Sequence, residues 1–344
     1  MKKISHVLVA LLLSVALLAG CGGGSGGSAQ PSAPPADSSS DSAPSAAPED
    51  AGEQTFRVAY IARAQADSFA AWLANAVREE ADKYPNISVD IMDGEASDDK
   101  VNSLIENSIT NRYDLIIVQP NNGEAQRPYV EQIIAAGIFA ITTNARIEGI
   151  AGGSSVDADP YMQAAVNAVA ALEQVPENAN VVVLNGPPGN FHADQRRLSW
   201  QTEFFEKRSD VTIVGEQIAN WNKDEAMAFM EDWIQANDRI DAIISMNDNM
   251  AAGALEAVKD NPKFADILAY GVDGTAEAIL LIQEGKMTST CLQSAYDLAE
   301  LLLETSNKLL TGQETEINTD IGNPLVTIDN VEQYIEMHKR AGAL

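Results

Sequence analysis

The sequence predicts an α/β protein with two doubly wound parallel-sheet domains joined by hinge crossovers, with a ligand in the cleft between them. Three observations point there. Continuous apolar runs such as Leu115–Val118 and Val181–Leu184 have the length of strands buried on both faces. Segments of helical periodicity separate them, which makes neighbouring strands parallel. The runs also end abruptly in amides, carboxylates, arginines or aromatics, as at Asn247-Asp248-Asn249 after Ile243-Ile244-Ser245-Met246. In open α/β sheets ligands bind beyond the carboxyl ends of the strands, so these tips are where function is sought.

Taken in order, the chain opens with Lys2-Lys3 and an apolar run from Val7 to Leu18, too short to span a bilayer comfortably. Residues 1–20 read as an export signal. Leu18-Ala19-Gly20-Cys21 resembles a bacterial lipobox, which implies cleavage before Cys21 and a diacylglycerol on its sulfur. Buried acyl chains contribute roughly 0.8 kcal/mol per CH₂, so two or more hold a protein at a membrane. Residues 21–53 are almost all Gly, Ser, Ala, Pro, Asp and Glu, the composition of a disordered tether.

Strands are expected at Phe56–Ile61, across Ile87, Val89 and Ile91, and at Leu115–Val118 and Ile138–Thr142. Phe69, Trp72, Leu73, Ala76 and Val77 recur at helical spacing after the first of these. A second series follows at Val181–Leu184, Val211–Val214, Asp241–Ser245, Ile267–Val272 and Thr288–Leu292. Val181, Val211 and Asp241 stand 30 residues apart in each step, the length of one βα unit. Gly152–Asp157, rich in small residues, suits a crossover or hinge. Leu298–Leu310 reads as a helix and Val326–Ile328 as a late strand. The assignment is residues 54–156 plus 294–319 to an N-terminal lobe and 157–293 plus 320–344 to a C-terminal lobe.

Composition narrows function. The chain has 344 residues and a formal charge of −28, from 22 basic and 50 acidic side chains, which argues against nucleic acid because such affinity rests on neutralising phosphates. With 3 His and 2 Cys no metal is expected, and Cys291 reads as a buried small apolar residue. No cofactor is expected either. Ala62–Ser68 contains no glycine for a dinucleotide fingerprint, no lysine follows Gly186-Pro187-Pro188-Gly189 as in a P-loop, and Gly152–Val156 fails G-x-S-x-G. A binding protein without catalytic residues is therefore preferred to an enzyme.

The remaining tips read Arg63–Phe69, Gln119-Pro120-Asn121-Asn122, Thr142–Arg146, Asn185–His192, Asn220-Trp221-Asn222, Asp273-Gly274-Thr275 and Gln293-Ser294. A sugar presents hydroxyls, which both donate and accept, and apolar C–H faces. Carboxylates and arginines give the strong charge-assisted bonds to such hydroxyls, amides donate and accept at once, and Phe69 and Trp221 can cover the ring. Plainer roles are available: Asp67, Asn144 and Asn247 as helix caps, Asp273-Gly274 as a turn, Phe69 and Trp221 as core, Arg196-Arg197 as a solvated helix face. Trp72, Trp200 and Trp233 are assigned to helix packing.

Asn247–Ala254 and Tyr270–Thr275, behind a lipobox and tether, resemble the pentose/hexose group of type I periplasmic binding proteins, such as the ribose- and glucose/galactose-binding proteins of ABC importers. The resemblance covers about Thr55 to Val326. It implies ligand contacts at Asp67, Phe69, Asn144, Arg196, Trp221, Asn247, Asp273 and Gln293, with Gln119, Arg146 and His192 as further candidates. Arg146 stands one place beyond that group's arginine, and Ala70 replaces a second Phe, which counts against ribose itself. The resemblance implies a monomeric, extracytoplasmic, lipid-anchored protein that closes on one neutral monosaccharide or polyol and delivers it to an ABC permease. The alternative is a lipid-anchored receptor that hands its bound form to a membrane sensor.

Overall fold

The computed structural model describes residues 55–344, so the expected leader, Cys21 and tether lie outside the described residues. The first half runs β1 (Phe56–Ala62), α1 (Ser68–Ala81), β2 (Ile87–Asp93), α2 (Asp98–Thr110), β3 (Leu115–Val118), α3 (Gly123–Ala135), β4 (Phe139–Thr143) and β5 (Ser154–Ala158). Then come α4 (Pro160–Gln174), β6 (Asn180–Asn185), α5 (Phe191–Trp200), β7 (Thr212–Ile218), α6 (Lys223–Ala236), β8 (Ala242–Ser245), α7 (Asp248–Val258), β9 (Leu268–Asp273), α8 (Ala276–Gln283) and β10 (Ser289–Leu292). The tail adds α9 (Ala295–Leu310), β11 (Asn318–Ile321), β12 (Leu325–Val326) and α10 (Val331–Arg340).

Two six-stranded sheets result, in the orders β11-β5-β4-β3-β1-β2 and β12-β10-β9-β8-β6-β7. All pairings are parallel except that of β12 with β10. Strand order therefore reverses at β1/β3 in one sheet and at β6/β8 in the other, and a crevice opens beyond the strand ends at each reversal.

β1 shows why these strands carry unbroken apolar runs. Val58, Tyr60 and Ala62 join one core with α1 and α9, whereas Ala59 and Ile61 join a second core with α2 and α3. Successive side chains leave a strand on opposite faces, and both faces here are covered by helices. Each Val, Ile or Leu buried this way contributes roughly 1.5–3 kcal/mol. The second half gathers its apolar residues into one cluster around β6, β8 and β9. Gly253 lets α7 lie against the start of α6, where a Cβ would stand 2.1 Å from the Lys223 carbonyl oxygen.

The chain crosses between the sheets three times: after β5, after β10, and between β11 and β12. α9 returns to the first sheet, packing on α1, while α10 seats Val331 and Ile335 in the second core. Two expectations change. Most of Gly152–Asp157 is strand, not crossover, and the connection follows at 159. Its small polar side chains are satisfied locally: the Ser154 hydroxyl accepts from the Ile317 N–H and the Ser155 hydroxyl donates to Asn318. The strand expected at Val211–Val214 extends to Ile218, because an edge strand exposing one side tolerates Glu216 and Gln217 while still pairing with β6.

Candidate functional site

Helix caps at the strand tips are the first layer of the site. The Asp67 Oδ1 accepts from the Ala70 N–H at 2.8 Å, the Asn190 Oδ1 from the Ala193 N–H, and the Asn247 Oδ1 from the Met250 N–H at 3.0 Å. Capping and ligand contact are thus compatible: an amide whose oxygen caps a helix still has its NH₂ to donate. The same holds for Asn144, whose Oδ1 accepts from the buried Gln119 Nε2 at 2.6 Å.

Between the two halves lies a narrow cavity lined by Arg63, Phe69, Asn144, His192, Arg196, Trp221, Asn247 and Asp273. As it stands it has room for little more than one water molecule, far below the roughly 300–1,000 Å³ of pockets for drug-sized ligands. Six of the eight expected contacts line it, together with His192. Gln293 lies one bond behind, its Oε1 held by Gln163 Nε2 at 2.6 Å and by Arg196. Asp67 is turned to Arg63, 3.1 Å from its guanidinium. Arg146 points elsewhere: it pairs with Asp320 at 3.0 Å and lines a separate depression with Glu148 and Glu316.

Backbone strain concentrates here. Of nine non-glycine residues with positive φ among those described, five occupy three of these tips: Asn144, Ala145, Asn220, Trp221 and Asp273. Such conformations cost of order 1–3 kcal/mol each and persist only where the surroundings enforce them. At Trp221 the enforcement is visible. Its carbonyl accepts from Asn249 Nδ2 at 2.7 Å, and its indole lies so close on Gly186 that a Cβ there would meet the ring at 2.2 Å.

Arg196, 2% exposed, is the hub. It donates through Nε and Nη2 to Gln163, through Nη1 to the Met246 carbonyl, and through Nη2 to Gln293. His192 Nδ1 lies 3.2 Å from Nη2, and His192 Nε2 lies 2.9 Å from Asp157 Oδ1 in the other half. Burial pulls the imidazole below its ordinary pKa although Asp157 opposes it. Burial would raise Asp157 itself, but His192 and the N–H groups of Ala158 and Arg146 hold it below the usual range. A neutral His192 that donates to Asp157 through Nε2 and accepts from Arg196 at Nδ1 satisfies all three groups.

Several polar groups in and behind this cavity lack partners. Among the described residues, the buried Trp221 Nε1 and Gln293 Nε2 have no hydrogen-bond acceptor. Asp273, 2% exposed, has no side-chain hydrogen bond among the described residues, and the Arg196 guanidinium is 3.7 Å away. Burial pushes its carboxyl well above the ordinary pKa, against Arg196 and with help from Asp248. Such groups can donate to and accept from hydroxyls.

The rim is closed by direct contacts between halves. The Gly123 N–H donates to the Gly189 carbonyl at 3.1 Å, and Asn190 Nδ2 donates to the Asn121 carbonyl at 3.3 Å. Arg63 and Trp221, also from opposite halves, stand 5.7 Å apart as cation and ring.

Sequence reasoning passes over Arg63, Asp157, Gln163 and Asp248. Arg63 and Asp248 stand in tips already singled out, Asp248 as the start of the following helix; Asp157, Gln163 and Asp248 act through neighbours distant in sequence. Asp248 opens α7 and is fully buried, accepting from Thr290 Oγ1 at 2.6 Å and from the Thr275 N–H at 2.9 Å. It thereby holds the turn after Asp273. Burial pushes its pKa up to about 6 against these bonds. A carboxyl raised above its unfolded value contributes stability fully present below about pH 4 and lost as pH rises through about 6. Between pH 4 and 7 the protein should therefore lose roughly 3 kcal/mol more than an Asp248→Asn variant. Urea titrations at both pH values measure this; parallel losses in the two proteins would show that Asp248 titrates normally.

Comparison with known proteins agrees with this geometry. The model of a family described as "periplasmic binding protein domain" matches residues 58–314. A xylitol-binding protein of Mycolicibacterium smegmatis is 26% identical over 235 residues, 68% of this chain and 67% of that one. A ribose import binding protein of Bacillus subtilis is 26% identical over 244 residues, 71% of this chain and 78% of that one. Among solved structures, an ABC transporter solute-binding protein from Bacillus halodurans with bound myo-inositol superposes with a TM-score of 0.75 at 26% identity, covering 84% of this chain and 99% of that one.

Proposed function

The chain belongs to the periplasmic binding protein domain family, and from that premise we propose that it is the extracytoplasmic substrate-binding protein of an ABC importer, taking a neutral monosaccharide or related polyol. The observation that carries this is the cavity between the halves, walled by Trp221 and backed by Gln293, whose buried Nε1 and Nε2 donors are unpartnered among the described residues, and walled also by Asp273, whose carboxyl has no hydrogen bond among them. Vicinal hydroxyls accept from the donors and donate to the carboxyl, and the Trp221 and Phe69 rings cover C–H faces. Binding is by closure: the crossovers at 158–160, 292–295 and 321–325 act as hinges, the rim bonds form last, and the closed form docks on a permease. Nothing in this scheme turns the ligand over, so the protein is a carrier and not an enzyme. Leu18-Ala19-Gly20-Cys21 supports a lipid anchor at Cys21, with residues 21–53 as the tether.

The relatives' ligands supply the test. Xylitol, D-ribose, myo-inositol and D-allose, the last named for a D-allose-binding periplasmic protein of Escherichia coli that is 28% identical over 158 residues, should be compared by thermal shift, since a ligand at 100 times its Kd stabilises the folded state by about 2.7 kcal/mol. At least one should raise the melting temperature clearly. A shift with none of them, alongside a shift with amino acids, would overturn the sugar reading.

A further inference from the structure

We propose that the last helix, through His338, belongs to the ligand-holding machinery: it fixes the Asp273-Gly274 turn and ties that turn across the cleft to Trp72, making His338 a positioning residue for closure. The proposal rests on the reading of the cleft as a sugar site.

His338 is 1% exposed near the end of α10, and its Nε2 lies 2.9 Å from the Gly274 carbonyl oxygen. A carbonyl only accepts, so Nε2 carries the proton and donates. Nδ1 is buried and, among the described residues, unpartnered. The Gly274 carbonyl belongs to the turn that holds Asp273 at a φ of 128°. Asp248 grips this turn from one side through the Thr275 N–H, and His338 grips it from the other through the carbonyl. Two opposed bonds fix a peptide plane that one would leave free to tilt, and the tilt would carry the Asp273 carboxyl with it.

The same imidazole touches the first half. Its ring centre is 5.0 Å from that of Trp72 in α1. Trp72 packs against both apolar cores and meets Phe69, a cavity wall, edge to face at 5.8 Å, and Tyr296 of α9 at 5.4 Å. Asp273, Gly274, His338, Trp72 and Phe69 thus form a continuous path that leaves the cavity through one half and re-enters it through the other. A leucine would fill the space of His338 equally well, but could not donate to the turn.

Two variants separate these roles. His338→Leu keeps the bulk and removes the donor; His338→Gln keeps an N–H at the corresponding reach. In the sugar-free protein, amide hydrogen exchange at 273–275 should quicken at least tenfold in His338→Leu and return to near the original rate in His338→Gln. Affinity for whichever of xylitol, ribose, allose or myo-inositol binds should fall ten- to a hundredfold in the first and stay within about threefold in the second. Trp72→Phe should weaken binding several-fold with exchange at 273–275 unchanged, and this variant carries the test if His338→Leu does not fold. Unchanged exchange and affinity in His338→Leu, or equal losses in both His338 variants, would overturn the proposal. If none of the four ligands but an amino acid binds the unaltered protein while exchange responds as described, the sugar reading fails and the role of His338 in the turn stands.

Discussion

Replacing Asp273 by alanine should weaken sugar binding about a hundredfold or more, with a smaller effect on stability. This carboxyl is buried, has no side-chain hydrogen bond among the described residues, and lies 3.7 Å from Arg196. Removing it relieves its own desolvation penalty but takes a carboxylate from the buried Arg196 cation, so the two effects on the fold oppose each other. In the complex the same group accepts from hydroxyls, and each charge-assisted bond contributes roughly 1.5–3 kcal/mol, so losing two costs about 3 kcal/mol or more. Calorimetric titration and melting of the variant read the two effects separately. An affinity close to the original would remove Asp273 from the site, and a large loss of stability would show that its chief role is in the fold.

Arg196→Lys should cost both. The guanidinium uses its planar fork to reach Gln163, the Met246 carbonyl and Gln293 together, beside His192 Nδ1. An ammonium is a compact point charge that cannot span those acceptors. The variant would leave a buried cation poorly matched and the amide chain from Gln163 to Gln293 loose, a class of lesion worth roughly 3–5 kcal/mol. Denaturant midpoints should fall accordingly, and sugar binding should be lost because Gln293 and Asp273 both lean on this group. A stability within about 0.5 kcal/mol of the original, the range of ordinary surface changes, would show that the network is not needed.

The parts of this molecule that are periodic or local could be read from the chain. β3 and β6 announce themselves as apolar runs, and Asn247 and Asp273 as polar residues where such runs stop. What could not be read has a common cause. Asp157 meets His192 only because β5 and α5 approach each other across the cleft, and Gln163 reaches Gln293 only because α4 leans on β10. A helix-borne amide or a strand-end carboxylate has no local signature that tells which distant group it will hold. Arg146 illustrates the converse: one place beyond the matching position, its side chain leaves the strand tip toward Asp320 and away from the cavity. Trp72 satisfies the helical period that assigns it to packing, yet packs against both halves at once.

The return of α9 and β11 to the first sheet also dictates an order of assembly. Leu298, Leu302 and Leu303 complete the core that begins with Val58 and Tyr60 at the other end of the body. During synthesis that core cannot close until β6 to β10 have emerged, whereas most of the second sheet is made from one uninterrupted stretch. Contacts of such sequence separation form slowly because the intervening loop must be ordered before they repay it. The second half should therefore gain protection first in a refolding time course, with β1 and α9 acquiring theirs together and last.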